Sequence, residues 1–161
     1  MGRERPARDR LMTAAAELFY AHGMAATGID AITERAGVAR KSLYNNFASK
    51  DDLVLAYIRE RHQEWLGLYE LRVVNAQTSR DRVLAVFDAY IDHAEAAYVH
   101  GFRGCGLLNA AAELPAGAPG RVAVREHKEQ VEAILAAGLA GIVDADKAAE
   151  LAEQLAFVLE G

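Results

Sequence analysis

The chain has 161 residues, 52% of them apolar and 25% charged, with a formal net charge of −5; that excludes disordered, collagen-like and disulfide-built classes. With 33 Ala, 17 Leu and only three Pro, helix is favoured over sheet. No apolar run approaches the roughly 20 residues a membrane helix needs, no signal-peptide core follows the charged start, and the single cysteine, Cys105, cannot form an internal disulfide, so a reducing cytoplasm is expected.

Charge is distributed unevenly. Residues 1–50 hold eight Lys/Arg against five Asp/Glu, net +3, and residues 51–161 hold ten against eighteen, net −8. A basic end suits a polyanion, while the acidic remainder keeps the chain soluble.

In chain order, Leu11, Ala15, Leu18, Phe19 and His22 recur on one face of a first helix, which Gly23 ends. Thr27-Gly28-Ile29-Asp30 reads as a capping box opening a short helix with Ile29 and Ile32 inward, stopped by Gly37. A second short helix holds Leu43 and Phe47. Ser49-Lys50-Asp51-Asp52 is another capping box, opening a long helix through Leu53, Ile58, Trp65 and Leu66 toward Val74. Thr78-Ser79-Arg80-Asp81 starts the next, with Val83, Val86, Phe87, Tyr90, Ile91 and Ala94 inward. Gly101, Gly104 and Gly106 break the pattern before a short apolar helix at about 105–114. Pro115 to Gly120 reads as a loop. Val131, Ile134, Leu135, Gly138, Leu139 and Ile142 form a helical stripe, and Asp144 caps a last helix with Ala148, Leu151, Ala152, Leu155 and Leu159. The expected fold is all-α, with seven to eight helices.

Residues 27–50 are the most informative block. Two helices of about eight and seven residues flank a tight turn at Gly37, the spacing of a helix-turn-helix at about 28–47. Ala36 is small enough to let the helices approach, and Ile32, Val38 and Leu43 stand where the pair packs. Arg40, Lys41, Ser42, Tyr44, Asn45 and Asn46 crowd onto the second helix. Arg and Lys pair with guanine edges or phosphates, and Asn with adenine.

This block resembles the DNA-binding domain of the tetracycline-repressor (TetR) family of bacterial regulators. The resemblance rests on Thr27, Ile32 with Ala36-Gly37-Val38, Ser42-Leu43-Tyr44 with Phe47, and Ser49-Lys50 with Leu53. The first-helix run Ala14-Ala15-Ala16-Glu17-Leu18-Phe19 before Gly23 is similar as well. A shorter likeness, Phe102-Arg103-Gly104-Cys105 and Asn109-Ala110-Ala111-Ala112-Glu113, is to one group of the family's ligand-binding domains. Ala39 departs from the serine many members place there, and Asn45-Asn46 from an aromatic and a histidine.

The resemblance implies a DNA-binding domain at 7–67 and a ligand-binding and dimerisation domain at 68–161 that lacks the family's final helix. It implies phosphate contacts from Thr27, Tyr44 and Lys50, and a DNA-reading surface of Arg40, Lys41, Ser42, Asn45 and Asn46. It implies a homodimer on a pseudo-palindromic double-stranded operator. The apolar stripes at 131–142 and 148–159 suit half of a four-helix interface, with Gly138 and Gly141 allowing close approach. A small, largely apolar effector is expected to release the DNA, making the chain a one-component repressor. The long helix beginning at Lys50 would carry the signal. Trp65, Phe87, Tyr90, Phe102, Cys105 and Asn109 are the candidate effector contacts; Tyr69 and Tyr98 are further aromatics that suit either cavity or core.

Catalysis is not expected. Gly101-Phe102-Arg103-Gly104-Cys105-Gly106 is no dinucleotide fingerprint and has no strand before it, and Cys105 with His100 has no third catalytic partner. His93 and His100 lie seven apart without a third ligand, so neither metal nor cofactor is expected. Two readings of other classes are a helical interaction module without DNA binding, and a Cys105-dependent enzyme or thiol sensor.

Overall fold

A computed structural model describes residues 6–96 and 101–160. Eight helices occur among them and no strand: α1 (Ala7–His22), α2 (Ile29–Ala36), α3 (Arg40–Asn46), α4 (Lys50–Val73), α5 (Ser79–Ala96), α6 (Gly106–Glu113), α7 (Pro119–Leu139) and α8 (Ala145–Glu160). The all-α expectation holds, with boundaries close to those read from the sequence. Pro119 is the first residue of α7 rather than part of the loop, a position where its missing N–H has no helical partner to lose. Tyr98 and His100 lie outside the described residues.

The chain divides into two compact units, Met1–Arg61 with Val99–Ala123, and His62–Tyr98 with Val124–Gly161. Each unit is built from two separate stretches of the chain.

In the first unit α1 buries Leu11, Met12, Ala14, Ala15 and Phe19. The Phe19 ring meets Tyr57 edge-on at 5.5 Å. His22, expected on the buried face, is exposed, because the chain turns away at Gly23 directly after it. α2 buries Ile32, Thr33 and Ala36. It ends at Gly37, whose φ of +64° is a left-handed conformation open to glycine at little cost. The Gly37 N–H donates to the Glu34 carbonyl and the Val38 N–H to that of Thr33.

Three of the four expected caps form. The Ser49 hydroxyl accepts from Asp52 N–H (3.1 Å), while the Asp52 carboxylate accepts from Ala48 N–H (3.1 Å). Thr78 and Asp81 make the reciprocal box at 2.9 and 3.1 Å. The Asp144 carboxylate accepts from Lys147 N–H (3.0 Å). The Thr27 box does not form. Gly28 is the N-cap of α2, and the Thr27 hydroxyl is buried, donating to the Gly23 (2.6 Å) and Leu18 (3.2 Å) carbonyls instead. The Gly23 carbonyl, just past the end of α1, has no helical partner and competes for the hydroxyl.

In the second unit Trp65, Val86, Ala89, Val131, Leu135, Leu139, Ala148 and Ala152 form one buried cluster. Most of both apolar stripes therefore packs inside the chain, with Ile134, Leu151, Leu155 and Leu159 partly covered at the edge and Ile142 exposed. Gly138 and Gly141, expected at a partner interface, serve close approach within the unit. A Cβ on Gly138 would stand 2.9 Å from Val83 Cγ2, and one on Gly141 would overlap Ser79 Oγ. Phe157 and Val158 of α8 remain exposed.

Candidate nucleic-acid interface

α3 is short, and its two apolar residues fix its orientation. Leu43 is fully buried and Phe47, at the C-cap, is 3% exposed, with the Arg8 guanidinium over its ring at 5.2 Å. Once those two side chains are inside, Arg40, Lys41, Tyr44, Asn45 and Asn46 are all exposed, and Ser42 is half-buried. Lys50, half-buried, opens α4 immediately after the turn. Apart from Thr27, the predicted DNA-binding residues thus belong to one short segment, Arg40 to Lys50.

Local bonds order part of this surface. Arg40 pairs with Asp30 of α2 at 3.0 Å and lies over the Tyr44 ring at 6.0 Å. Its guanidinium is held even more firmly in the charged form by a hydrogen bond with Tyr44 and by the Asp30 charge. The Asn46 amide donates to the Ser42 carbonyl at 2.7 Å, so one of its donors is occupied within the helix. Lys41 and Asn45 are exposed with side chains outward. This is a cationic, hydrogen-bonding surface on a helix pair whose turn is set by Gly37, suited to phosphates and base edges. Thr27 departs from that surface: its hydroxyl faces the end of α1.

The predicted effector contacts fall into both units. Trp65 is 1% exposed and meets Tyr69 (stacked, 5.7 Å) and Tyr90 (tilted, 5.4 Å), while Phe87 packs at the edge of the same cluster. Phe102 is exposed, Cys105 is the half-buried N-cap of α6, and Asn109 is exposed, its amide donating to the Arg103 carbonyl at 3.0 Å. These last three belong to the first unit.

Sequence reasoning missed a polar chain beside Trp65. His62 and His127 face each other through their Nδ1 atoms at 2.7 Å, so one ring donates and the other accepts. Tyr90 lies 3.4 Å from His127 Nε2, and Lys128 Nζ is 3.4 Å from the Tyr90 hydroxyl. One arrangement of protons is consistent with all three links: Lys128 donates to Tyr90, Tyr90 to His127 Nε2, and His127 Nδ1–H to His62. His127 is 2% exposed; burial first, then the charges of Lys128, His62 and His93, push it down to about 3. Burial lowers His62 as well. Lys128 also pairs with Glu160 of α8. The signal was available, since His127 shares a helical face with Val124, Val131 and Leu135 and polar groups on such a face need partners. His93, read as an ordinary histidine, lies 3.6 Å from Glu64. No group of three metal-ligating side chains occurs among the described residues. No helix of the described residues is long and apolar enough to cross a membrane.

Comparison with known proteins agrees with this geometry. The family described as bacterial regulatory proteins, tetR family, matches residues 11–57, which cover α1 to the first part of α4. The transcriptional activator FasR of Mycolicibacterium smegmatis is 37% identical over 89 residues, 55% of this chain and 40% of that protein. The transcriptional repressor KstR2 of the same organism is 32% identical over 89 residues, 55% of this chain and 43% of that protein. The matched stretch is thus less than half the length of either curated relative. A TetR-family transcriptional regulator from Streptomyces coelicolor superposes with a TM-score of 0.86 at 34% identity, over 97% of this chain and 81% of that one. With α3 displayed as described and a relative of that identity matched over most of both chains, this chain belongs to the TetR family of bacterial transcriptional regulators.

Proposed function

We propose that this chain is a cytoplasmic, DNA-binding transcriptional regulator that reads a pseudo-palindromic operator as a homodimer, with α3 of each copy in the major groove. The observation that carries this reading is α3 itself: Leu43 and Phe47 anchor it, and Arg40, Lys41, Tyr44 and Asn45 point outward. Lys50 and Tyr44 contact phosphates, and Arg40, Lys41, Ser42, Asn45 and Asn46 read bases or their flanks. Thr27 contributes through its main chain, its hydroxyl being bonded to Gly23. Residues 7–67 act as the DNA-binding domain and 68–161 as the ligand-binding and dimerisation domain. The second copy covers the exposed Phe157 and Val158 on α8, a placement consistent with the apolar character of homodimer interfaces.

A small, largely apolar effector releases the DNA, so the protein acts as a repressor. FasR is described as an activator and KstR2 as a repressor, so a reporter assay decides the sign. The aromatic group of buried Trp65 with partly buried Phe87 and Tyr90 supports an apolar effector, and Phe102, Cys105 and Asn109 are the remaining proposed contacts. α4 is one uninterrupted helix from Lys50, next to α3, to Val73, beyond Trp65; a rigid element of that kind can convert effector binding into a change of head spacing.

The test is selection of duplexes from a random library by the purified chain, followed by anisotropy titrations across salt. A palindromic sequence should be enriched, and its affinity should fall linearly on a log–log salt plot, about 0.9 per phosphate neutralised. Absence of any enriched sequence refutes operator reading.

A further inference from the structure

The likeness at Phe102–Cys105 and Asn109–Glu113 points toward effector binding, yet in the structure the charged residues of these two motifs face the DNA-reading head. Glu113 ends α6. Its Oε1 accepts from Met24 N–H (3.2 Å) and its Oε2 from Ala25 N–H (2.7 Å). The two amides belong to the turn between α1 and α2, where no helical carbonyl is in reach to serve them. The carboxylate lies so close that a Cβ added to Gly23, itself at φ +85°, would stand 2.7 Å from Oε1. Ten residues earlier, the Arg103 guanidinium donates to the Ala21 carbonyl in the last turn of α1, the negative end of that helix. The Tyr20 hydroxyl accepts from Arg103 N–H and donates to the Gly104 carbonyl at 3.1 Å. The Asn109 amide holds the Arg103 carbonyl and so ties the two motifs to each other.

The turn gripped in this way carries Thr27, whose hydroxyl bonds back to Gly23, and it leads directly into Gly28, the N-cap of α2. Its geometry therefore sets where α2 begins and, through the Gly37 turn, where α3 lies. We infer that Glu113 and Arg103 are positioning residues for DNA reading: a two-point brace from the segment 103–113 that fixes the α1–α2 turn, and with it the recognition helix. This rests on the DNA-reading role proposed for α3. It also assigns to the second motif a task other than contacting the effector. A shift of α6 would reach the head through these charge-assisted hydrogen bonds.

The test compares the full-length wild-type chain with Glu113→Gln and Glu113→Asp. Gln keeps one carbonyl oxygen and loses the second acceptor; Asp keeps both oxygens on a shorter stem. Two readouts are taken: the ratio of affinities for a library-selected operator and for random duplex, and amide hydrogen exchange without DNA. Removing a negative charge by itself favours both duplexes alike, so the ratio isolates geometry. Glu113→Gln should lower the ratio about tenfold, equivalent to ~1.4 kcal/mol, and Glu113→Asp should recover part of it. Exchange should quicken from Met24 and Ala25 through α2 into α3. An unchanged ratio with exchange confined to Met24 and Ala25 overturns the brace. If the wild type selects no operator, the DNA-reading proposal is what has failed, and exchange then decides the brace: spread into α3 supports it, confinement to the two amides refutes it.

Discussion

The neutral His127 makes the second unit acid-sensitive in a defined window. Its ordinary value of 6.5 is depressed to about 3 in the folded chain, chiefly by burial. Above 6.5 neither state binds the proton, and stability is independent of this group. Between 6.5 and 3 the unfolded chain binds a proton that the folded chain does not, so stability falls by about 1.4 kcal/mol per pH unit. From pH 7 to pH 5 the loss amounts to about 2 kcal/mol from His127. His62 is shifted in the same direction by burial and acts with the same sign. Asp81, Asp92 and Glu150 are also lowered, by bonds to Thr78, Arg72 and Lys147 respectively. Their contribution is present above the ordinary carboxylate value and is lost only below it, under the pH 7 to 5 range of the titrations. Trp65, the one tryptophan of the sequence, meets His127 edge-on at 5.5 Å and reports on this unit by fluorescence. Urea titrations at pH 7, 6 and 5 should show the loss in the wild-type chain. His127→Gln should be less stable at pH 7, because it disrupts the bond to His62, and markedly flatter toward pH 5. Parallel loss in the two proteins, or equal wild-type stability at pH 7 and 5, would refute the assignment.

Tyr44→Phe and Lys50→Ala should weaken binding to every duplex, and only the loss of the Lys50 charge should reduce the salt slope. Replacing Asn45 should instead alter sequence preference by about 1–3 kcal/mol for a lost bidentate base contact; competition titrations separate the two patterns. Gly37→Ala should cost about 1–2 kcal/mol by thermal melting, from the left-handed backbone alone, since nothing lies within 4 Å of the added Cβ. Phe157→Glu should leave helicity intact and turn a sedimenting dimer into a monomer; an unchanged dimer would place the partner elsewhere than on this face of α8.

Most of the fold follows from local signals. Side chains recur every three to four residues, glycines follow the helix ends, and Ser49, Thr78 and Asp144 cap the helices they precede. The exposed face of α3 was legible for the same reason. A seven-residue helix with Leu43 and Phe47 inward has few other ways to orient Arg40, Lys41, Tyr44 and Asn45, and the order of residues 27–50 identified the family.

Tertiary structure decided the features that depend on residues distant in the chain. Thr27 has the spacing of a cap, but its hydroxyl found stronger claims in the carbonyls at the end of α1. Gly138 has the look of an interface glycine, yet Val83 of α5 fills the space beside it. Glu113 lies 88 residues from Ala25 and His127 lies 65 from His62, and no periodicity can announce a pairing across such distances. Helical periodicity says which face of a helix is buried, because that depends on neighbours three and four residues away. What meets a charged or titratable group on that face depends on where other helices are brought, and only the packed chain fixes that.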